Sequence, residues 1–404
     1  MVSSTSSSAR QTPPRQKPMV ILDLAPLTHA SAFQGIGRYL RELVRALLLL
    51  SDLEAQPFRI VGLDRSFWPW RLMDLHEAWE SFSRPRDGRS SHRLPNWRHC
   101  VAGLWLEGQG VTAYHQAEPA QTPFDRHVRV VLTYHDIIPI ELWKLYSRRA
   151  PTFRRALNWL VTKWRLAIAD HVITDSFYVA HTISRLFAYP WDRLTPIWIG
   201  VAHERFNTRP TPNESELLRQ RWGLTGPYWL FVGTGDRRKN LPFLLEAVAK
   251  GPPEVPVVLV GKLHPLQLPP IERAIEELGL GHRVRRLGFV EDELLPALYR
   301  QSLALLFPSL AEGFGLPVVE AMACGTPVVA FANTSIPEVA GDAAWLVPTN
   351  DLEAFAEAMK VLAEKPAKRR ELAEKGLERA KLFSWENTAR SVLAVYRKVL
   401  GLAE

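Results

Sequence analysis

The stretch from Phe307 to Gly325, FPSLAEGFGLPVVEAMACG, constrains the fold more than any other part of this chain. A short apolar run ends at Phe307, a glycine-rich loop follows, and an apolar segment runs from Pro317 to Gly325. Proline suits the first position of a helix and glycine the position after its end, so the pattern predicts strand, loop and helix. Because free N–H groups at a helix N-terminus attract negative charge, the segment also predicts an anion site.

Two glutamates flank this predicted anion site: Glu312 lies in the loop and Glu320 lies in the helix. A carboxylate in the first turns of a helix, beside a bound phosphate, can accept hydrogen bonds from the ribose hydroxyls of a nucleotide. The backbone N–H groups of Phe314, Gly315 and Leu316 are then the expected phosphate donors. For the four residues EGFG alone, the alternative is an ordinary helix start with a solvent-facing glutamate.

A basic turn follows an apolar run at 228–232 and precedes a segment that predicts a helix from Leu241. Its Arg238 and Lys239 suit a diphosphate, because cationic side chains form charge-assisted hydrogen bonds to phosphate oxygens. The glycines at 233 and 235 lack the third glycine of a dinucleotide-binding fingerprint, so that signal is weak. Without its context, the turn is equally typical of a solvated basic loop.

Short apolar runs alternate with helix-like segments through both halves of the chain. This alternation predicts parallel sheets covered by helices on both faces, so the fold class is α/β. We expect two doubly wound domains, at 19–203 and 204–385, with ligands bound in a cleft beyond the carboxyl ends of the strands. Residues 1–18 are rich in Ser, Thr, Pro and Gln and predict a disordered tail. The predicted strands lie at 20–24, 128–134, 171–174, 197–201, 228–232, 257–260, 284–287, 303–307 and 327–330.

The composition is that of an ordinary globular protein: 404 residues, 47% of them hydrophobic and 23% charged. No apolar run in the sequence reaches the roughly 18–20 residues that a membrane-spanning helix needs. The two cysteines, Cys100 and Cys324, fall in opposite halves. A disulfide is therefore not expected, and the reducing cytoplasm is the expected compartment.

The full string EGFGLPVVEAMACGTPVV resembles the donor-site motif of the retaining GT-B glycosyltransferases of the group 1 class, glycosyltransferase family four. Weaker similarity runs from about Val20 to Trp385, and the overall pattern is similar to bacterial mannosyltransferases. The resemblance implies two Rossmann-like domains facing across a cleft, with the last helix, 386–404, crossing back onto the first domain. It also implies transfer of a hexose from a nucleoside diphosphate sugar, here expected to be GDP-mannose, to a glycan or lipid-linked hydroxyl. The nucleotide sugar is a substrate, and no cofactor is expected.

The resemblance assigns the basic turn to the donor diphosphate, with Lys239 as the contacting residue. Many family members carry a second arginine about five residues earlier, where this sequence has Thr234. Either Arg237 or Arg238 is therefore expected to take that place. Glu320 matches the family's ribose-binding glutamate.

A glycine loop with Gly35, Gly37 and Arg38 is expected after the first strand, and a helix is expected from 39 to 50. Glycine allows the backbone to approach a ligand closely, although a simple tight turn explains it equally well. The family has a GG-x-GRY loop here, near the donor phosphate and the acceptor. This chain has Gln34 where the first glycine often stands.

His135 and Asp136 end a predicted strand in a pattern that matches the family's HD-x-x-P motif. A lone histidine at a strand end is more often structural, but the resemblance places His135 beside the reaction centre, bound to the donor sugar. Asp136 is expected either to orient His135 or to cap the following turn. Glu312 is expected to contact the sugar, and His115 is a candidate for the acceptor side.

No Asp-x-Asp sequence occurs in the chain. Metal-dependent nucleotide-sugar enzymes use such carboxylates to hold a divalent cation on the diphosphate. We therefore expect no metal site, with the lysine, the arginines and the helix N-terminus neutralising the leaving phosphate instead.

A GT-B sugar-nucleotide epimerase or phosphorylase is the alternative function among enzymes, because such proteins share these sheets and phosphate sites.

Positive charge is concentrated in the first half, where residues 1–203 hold 25 Lys or Arg and 17 Asp or Glu, while residues 204–404 hold 25 of each. Five Trp and seven Arg lie between Arg65 and Trp105. Such residues favour an anionic membrane surface, which predicts a peripheral protein on the inner face of the membrane and a lipid-linked acceptor. The alternative role of these Trp and Arg residues is to pack an irregular lobe of the first domain.

The alternative function from another class is a basic nucleic-acid-binding protein. Nucleic acid is not the expected partner, however, because the donor motif is intact.

Overall fold

The computed structural model of the chain contains two sheets, one in each half, with helices on both faces of each; the first is parallel except for one edge strand and the second is wholly parallel. Strands such as Met19–Asp23 and Val257–Val260 are buried along their whole length, because neighbouring helices cover both faces of the sheet. No helix within the described ranges is both long enough and apolar enough to cross a bilayer. The described residues are 17–27, 35–65, 70–83, 102–119, 127–142, 152–263 and 267–402.

The first sheet has seven strands in the order β3-β2-β1-β4-β5-β6-β7. All neighbours are parallel except β3, which is an antiparallel edge strand beside β2. The strands are β1 Met19–Asp23, β2 Arg59–Asp64, β3 Arg71–Met73, β4 Ala113–Gln116, β5 Arg129–Tyr134, β6 His171–Thr174 and β7 Leu194–Pro196. The helices are α1 Gly35–Leu49, α2 Leu75–Phe82, α3 Ala102–Gly108, α4 Ile138–Glu141, α5 Thr152–Ile168 and α6 Phe177–Phe187, with short 3-10 turns at Ala25–Leu27 and Trp191–Arg193.

The second sheet has six strands, all parallel, in the order β10-β9-β8-β11-β12-β13. The strands are β8 Trp229–Val232, β9 Val257–Val260, β10 Val284–Gly288, β11 Ala304–Phe307, β12 Val328–Phe331 and β13 Trp345–Val347. The helices are α7 Glu214–Trp222, α8 Leu241–Lys250, α9 Leu268–Glu277, α10 Leu295–Gln301, α11 Leu316–Ala323, α12 Ile336–Ala340, α13 Leu352–Glu364, α14 Pro366–Ala380 and α15 Trp385–Leu400, with a 3-10 turn at Arg237–Lys239.

Two local predictions are wrong. The segment 197–201 is not a strand: the last strand of the first sheet is β7, and Val201 forms only an isolated bridge with Ser384. Gly35 and Gly37 do not form a loop, because α1 begins at Gly35 and both glycines lie in its first turn. Around Gly200, the first segment contacts Ser384 and Trp385 instead of pairing with a neighbouring strand. At Gly35, the helix begins earlier than the glycine pattern predicts.

The described part of the Trp- and Arg-rich segment lies within the first half. Arg65 forms a buried ion pair with Asp23, with its Nη2 2.7 Å from Oδ2. Trp70 is buried, and its ring packs edge-on against that of Trp105 at 5.3 Å. These three residues of the segment are therefore packing residues, whereas 66–69 and 84–101 lie outside the described residues.

The C-terminal helix α15 packs against α1 and contacts β4 of the first half. A buried polar network fixes it there: Nδ1 of His115 lies 2.6 Å from the Tyr396 hydroxyl and Nε2 lies 2.8 Å from the Thr133 hydroxyl. Burial lowers the pKa of His115 to about 3, so the ring is neutral. His115 is fully buried and does not line the acceptor side, which corrects that expectation.

The start of α15 packs tightly against Gly200, and this contact gives a stability test. A Cβ at Gly200 would overlap the backbone of Ser384 and Trp385, which cannot move as a side chain can. We expect Gly200→Ala to lower the free energy of unfolding by about 1–3 kcal/mol, the usual cost of overpacking. Chemical denaturation followed by tryptophan fluorescence measures it.

Gly226→Ala is the matched control for this test, because a Cβ at Gly226 meets no atom within 4 Å. Its stability should stay within about 0.5 kcal/mol of the wild type or rise slightly. Equal stability of the Gly200 and Gly226 variants would contradict the tight packing of α15.

Candidate active site

The predicted anion site lies where the strand order of the second sheet reverses, between β8 and β11. Crevices at such switch points are the usual ligand sites of open α/β sheets. The turn after β8 is fixed by Asp236, whose carboxylate accepts a hydrogen bond from the Arg238 N–H at 2.9 Å. Asn240 then adopts a left-handed φ of 55° and α8 begins. The turn therefore presents its cations toward the loop that follows β11.

Glu312 is the centre of a buried ionic cluster. Its carboxylate accepts hydrogen bonds from Lys239 Nζ at 2.5 Å, from Ser309 Oγ at 2.6 Å and from Arg238 Nη1. Burial by itself raises the pKa of the Glu312 carboxyl, but Lys239 and Arg238 outweigh it and lower the pKa to about 2. Glu312 is therefore ionised at neutral pH.

Lys239 is only 6% exposed, and its ammonium lies 4.9 Å from the centre of the Phe307 ring. Burial lowers the pKa of Lys239, and the neighbouring Glu312 carboxylate opposes that effect. Burial also opposes the charge on Arg238, but Glu312 and Asp136 raise its pKa. The site thus holds two cations against one central carboxylate, with Asp136 as a further anion nearby.

The glycine loop after β11 is held in place by Ser335 and by its own backbone conformation. Ser335 Oγ lies 3.0 Å from the carbonyl oxygens of both Glu312 and Phe314. Gly315 has a φ of 105°, and a Cβ there would press against Ile336 at 2.7 Å, so only glycine fits without strain. These contacts fix the N-terminus of α11 beside the ionic cluster.

The two halves of the chain meet at Gly313. A Cβ at this position would overlap the carbonyl oxygen of His135 at the end of β5, so the two backbones are in direct contact. Ser176 Oγ, at the start of α6, donates a hydrogen bond to the Gly313 carbonyl at 2.6 Å. The EGFG loop is therefore both the predicted anion site and part of the interface between the two sheets.

Glu338 makes a second contact between the halves. From α12 it accepts hydrogen bonds from the N–H groups of Phe177 at 2.9 Å and Tyr178 at 3.0 Å, and from Trp198 Nε1 at 2.6 Å. The first two are N–H groups of the first turn of α6, which have no partner within their own helix. Glu338 is thus a helix cap supplied by the opposite half.

His135 is oriented by Asp175, a residue that no sequence motif indicated. Its Nδ1 lies 2.8 Å from Asp175 Oδ2 at the end of the neighbouring strand β6. Burial disfavours the charged ring, but Asp175 outweighs it and raises the pKa of His135. Nε2 makes no hydrogen bond to any described residue. The Ala117 carbonyl also contributes to the raised pKa of His135. Asp136 accepts a hydrogen bond from the Ile138 N–H at 3.2 Å, so of its two expected roles the cap is the one observed.

Glu320 is buried in α11 and both of its oxygens have partners. Arg38, from the first turn of α1, donates from Nη1 to Oε1 at 2.5 Å, and the Tyr299 hydroxyl donates to Oε2 at 2.9 Å. Burial raises the pKa of Glu320, and Arg38 opposes this. The other Arg38 nitrogen, Nη2, lies 2.5 Å from Asp292 Oδ1. Arg38 thus joins the first half to two carboxylates of the second.

Comparison with known proteins gives the family. Residues 214–379 match the family model described as Glycosyl transferases group 1. Over 401 residues, 91% of this chain and 96% of the relative, the sequence is 31% identical to the alpha-maltose-1-phosphate synthase of Mycolicibacterium smegmatis. The chain belongs to the group 1 glycosyltransferases.

This glycosyltransferase is also 28% identical over 390 residues to O-antigen chain mannosyltransferase B of Escherichia coli, covering 90% of this chain and 96% of that protein. Its structure is similar to that of sucrose-phosphate synthase from Thermosynechococcus elongatus, with a TM-score of 0.73, 25% sequence identity and coverage of 95% and 99% of the two chains. The two parallel-sheet domains have the GT-B arrangement. Both the family resemblance and the fold class are therefore confirmed.

The glycosyltransferase brings most of the predicted site residues together in three groups. Arg238, Lys239 and Glu312 form one group beside Phe314, Gly315 and Leu316; Arg38 and Glu320 form a second; and His135 with Asp136 lies against Gly313 in a third. Arg237 is exposed, Gly35 is exposed and Gly37 is buried in α1. Within the described ranges, no three His, Cys, Asp or Glu residues are grouped so that they could hold a metal ion.

The depressed pKa of Glu312 in this glycosyltransferase predicts a specific pH dependence. Its folded pKa of about 2 lies below its ordinary value of 4.5, so the cluster contributes stability above pH 4.5 and loses it as the pH falls toward 2. Glu312→Gln should cost about 3–5 kcal/mol at pH 7, because it leaves buried cations without their carboxylate. The difference from the wild type should shrink below pH 4.5, as measured by denaturation from pH 3 to 8.

Glu353→Gln is the matched control, because Glu353 pairs with Lys250 on the surface rather than in the interior. Exposed ion pairs contribute about 0–1 kcal/mol, so this variant should be close to the wild type at every pH. A Glu312→Gln protein as stable at pH 7 as the control would refute the account of the buried cluster.

Proposed function

We propose that this glycosyltransferase is a retaining mannosyltransferase that uses GDP-mannose and a glycan or lipid-linked hydroxyl acceptor. The observation that carries the proposal is the buried cluster of Lys239, Arg238 and Glu312 beside the N-terminus of α11. The likeness to an O-antigen chain mannosyltransferase supports mannose as the sugar and surface polysaccharide or glycoconjugate synthesis as the process. The proposed compartment is the cytoplasm, and the donor is a substrate rather than a cofactor.

The diphosphate of the donor would bind at this cluster. Negative charge develops on the diphosphate as the bond to the sugar breaks, so fixed positive groups there stabilise the transition state. Lys239 carries three ammonium hydrogens, and its bond to Glu312 uses one of them. The remaining donors, Arg238 and the N–H groups of Phe314, Gly315 and Leu316 would complete the phosphate site.

The ribose and the sugar would bind on either side of the diphosphate. A carboxylate offers about four acceptor positions, so Glu320 can accept the ribose hydroxyls while it keeps Arg38 and Tyr299. Glu312 and His135 are proposed to contact the mannose. Asp175 holds Nδ1 of His135, which leaves Nε2 as the atom for the sugar. Gly37 and Arg38 would border the donor phosphates from the first half.

The acceptor hydroxyl would attack the anomeric carbon as the bond to the diphosphate oxygen breaks, and its proton would leave with the diphosphate. Retention would follow if attack and departure occur on the same face of the sugar.

A thermal-shift panel of GDP, UDP and ADP tests which nucleotide base the protein binds, since a ligand that binds only the folded state raises the melting temperature of the protein. Release of GDP that depends on an acceptor would favour transfer over an epimerase or phosphorylase.

The role of Lys239 predicts a loss of donor affinity in Lys239→Met. Methionine keeps an unbranched side chain of similar length in this buried position but removes the charge-assisted contact, which is worth about 1.5–3 kcal/mol. Titration calorimetry with GDP-mannose should show binding that is weaker by about tenfold or more. Lys250→Met is the control, because Lys250 lies on the surface at the end of α8 and should bind as the wild type does. Equal affinity of both folded variants would remove Lys239 from the phosphate site.

Metal-independent transfer is also proposed, because cationic side chains and a helix N-terminus would neutralise the diphosphate. Transfer from GDP-mannose should keep its rate in excess EDTA and change by less than about twofold when Mg²⁺ or Mn²⁺ is added, a difference well under 1 kcal/mol in barrier height. A rate lost in EDTA and restored by either cation would overturn this proposal and the phosphate roles given above.

A further inference from the structure

Helix α5 carries a row of large apolar side chains on its solvent face. Phe153 is 70% exposed, Leu157 45% and Leu160 55%. Their spacing of four and then three residues places them on one side of the helix. We call these three residues the α5 row. Other large apolar residues that are exposed, such as Phe289 and Leu49, do not form such a row on one helix.

The opposite side of α5 already packs against the protein. Leu166 is buried, Thr162 is buried, and the ring of Trp159 stacks on Phe187 of α6 at 5.7 Å. The α5 row is therefore not the core face of the helix. Exposed apolar residues in a continuous strip, unlike isolated ones, indicate a surface that binds another protein or a membrane.

A basic residue borders the α5 row. Lys163 is exposed and lies three residues after Leu160, on a neighbouring face of the helix. Between Leu142 and Asp170 the sequence holds seven Lys or Arg residues and neither Asp nor Glu. An apolar strip containing Phe and Leu, on a helix within a basic segment of the chain, is the pattern of helices that lie in the interface of an anionic bilayer.

We propose that the α5 row docks this protein on an anionic lipid surface. The helix has 17 residues and is about 25 Å long, and its other face is anchored, so it would lie parallel to the bilayer with Phe153, Leu157 and Leu160 in the interface. The charge argues against a second copy of the chain as the partner. A twofold dimer through this face would bring the same basic residues together, and like charges repel.

The position of α5 in the first half would place the proposed donor site close to the docked lipid surface. Helices between parallel strands run opposite to the strands, so the Phe153 end of α5 lies at the carboxyl edge of the first sheet, as His135 does. Docking would hold the donor cleft next to the lipid surface, where a lipid-linked acceptor presents its sugar. This last step rests on the proposed function, whereas the docking itself does not.

Flotation of the full-length protein with lipid vesicles tests the docking. At low salt the wild type should float with vesicles of three parts phosphatidylcholine to one part phosphatidylglycerol, and not with phosphatidylcholine alone. Phe153→Ser/Leu157→Ser/Leu160→Ser should reduce the bound fraction by about tenfold, because it removes the apolar strip. Lys163→Glu should reduce it as well, because it replaces the cation beside the apolar strip with an anion.

The control is Phe289→Ser/Leu382→Ser, which removes two exposed apolar side chains from the second half and should float as the wild type does. The melting temperature and the GDP affinity of the triple variant should equal those of the wild type, so a failed donor site and a failed docking surface are told apart. Three outcomes overturn the proposal: a wild type that floats with neither vesicle, a triple variant that floats normally, or a wild-type dimer that the triple substitution converts to a monomer without any vesicle binding.

Discussion

The desolvation of Glu312 is the constraint on which the site depends. A carboxylate buried in the second half is stable only with matching cations, and here Lys239 and Arg238 supply them from the turn after β8. These ion pairs hold that turn against the loop after β11. Ser309 donates a hydrogen bond to the Glu312 carboxylate, and Ser335 lies within hydrogen-bond distance of the carbonyl oxygens of Glu312 and Phe314. The switch point of the sheet thus becomes a preorganised cationic surface beside a helix N-terminus, as a diphosphate site requires.

The same loop also sets the geometry between the two sheets. Gly313 allows the His135 carbonyl to approach the loop backbone, and Ser176 binds the Gly313 carbonyl. Arg38 extends from α1 to Glu320 and Asp292. Because these residues are the predicted ligands of the donor or their direct neighbours, donor binding as proposed would involve the residues that join the halves.

The sequence predicted those parts of the site that arise within one strand–loop–helix unit. The strands at 171–174 and 257–260 have the predicted bounds, and α11 starts within one residue of its prediction, since apolar periodicity, Pro317 and Gly325 are local signals. Asp175 and Tyr299 were not predicted as partners of His135 and Glu320. Their role depends on which strands and helices become neighbours, and no local pattern specifies that order. The only signal for Asp175 was its place directly after a predicted strand.

Glu338 makes the contact between the two halves accessible to measurement. Its carboxylate accepts the amide protons of Phe177 and Tyr178, so the first turn of α6 is complete only while the halves are together. If the halves separated, these two N–H groups would lose their acceptor and become open to exchange with solvent deuterium. Hydrogen exchange at these two backbone amides, which lie away from the ionic cluster, would therefore report any loss of the contact between the halves.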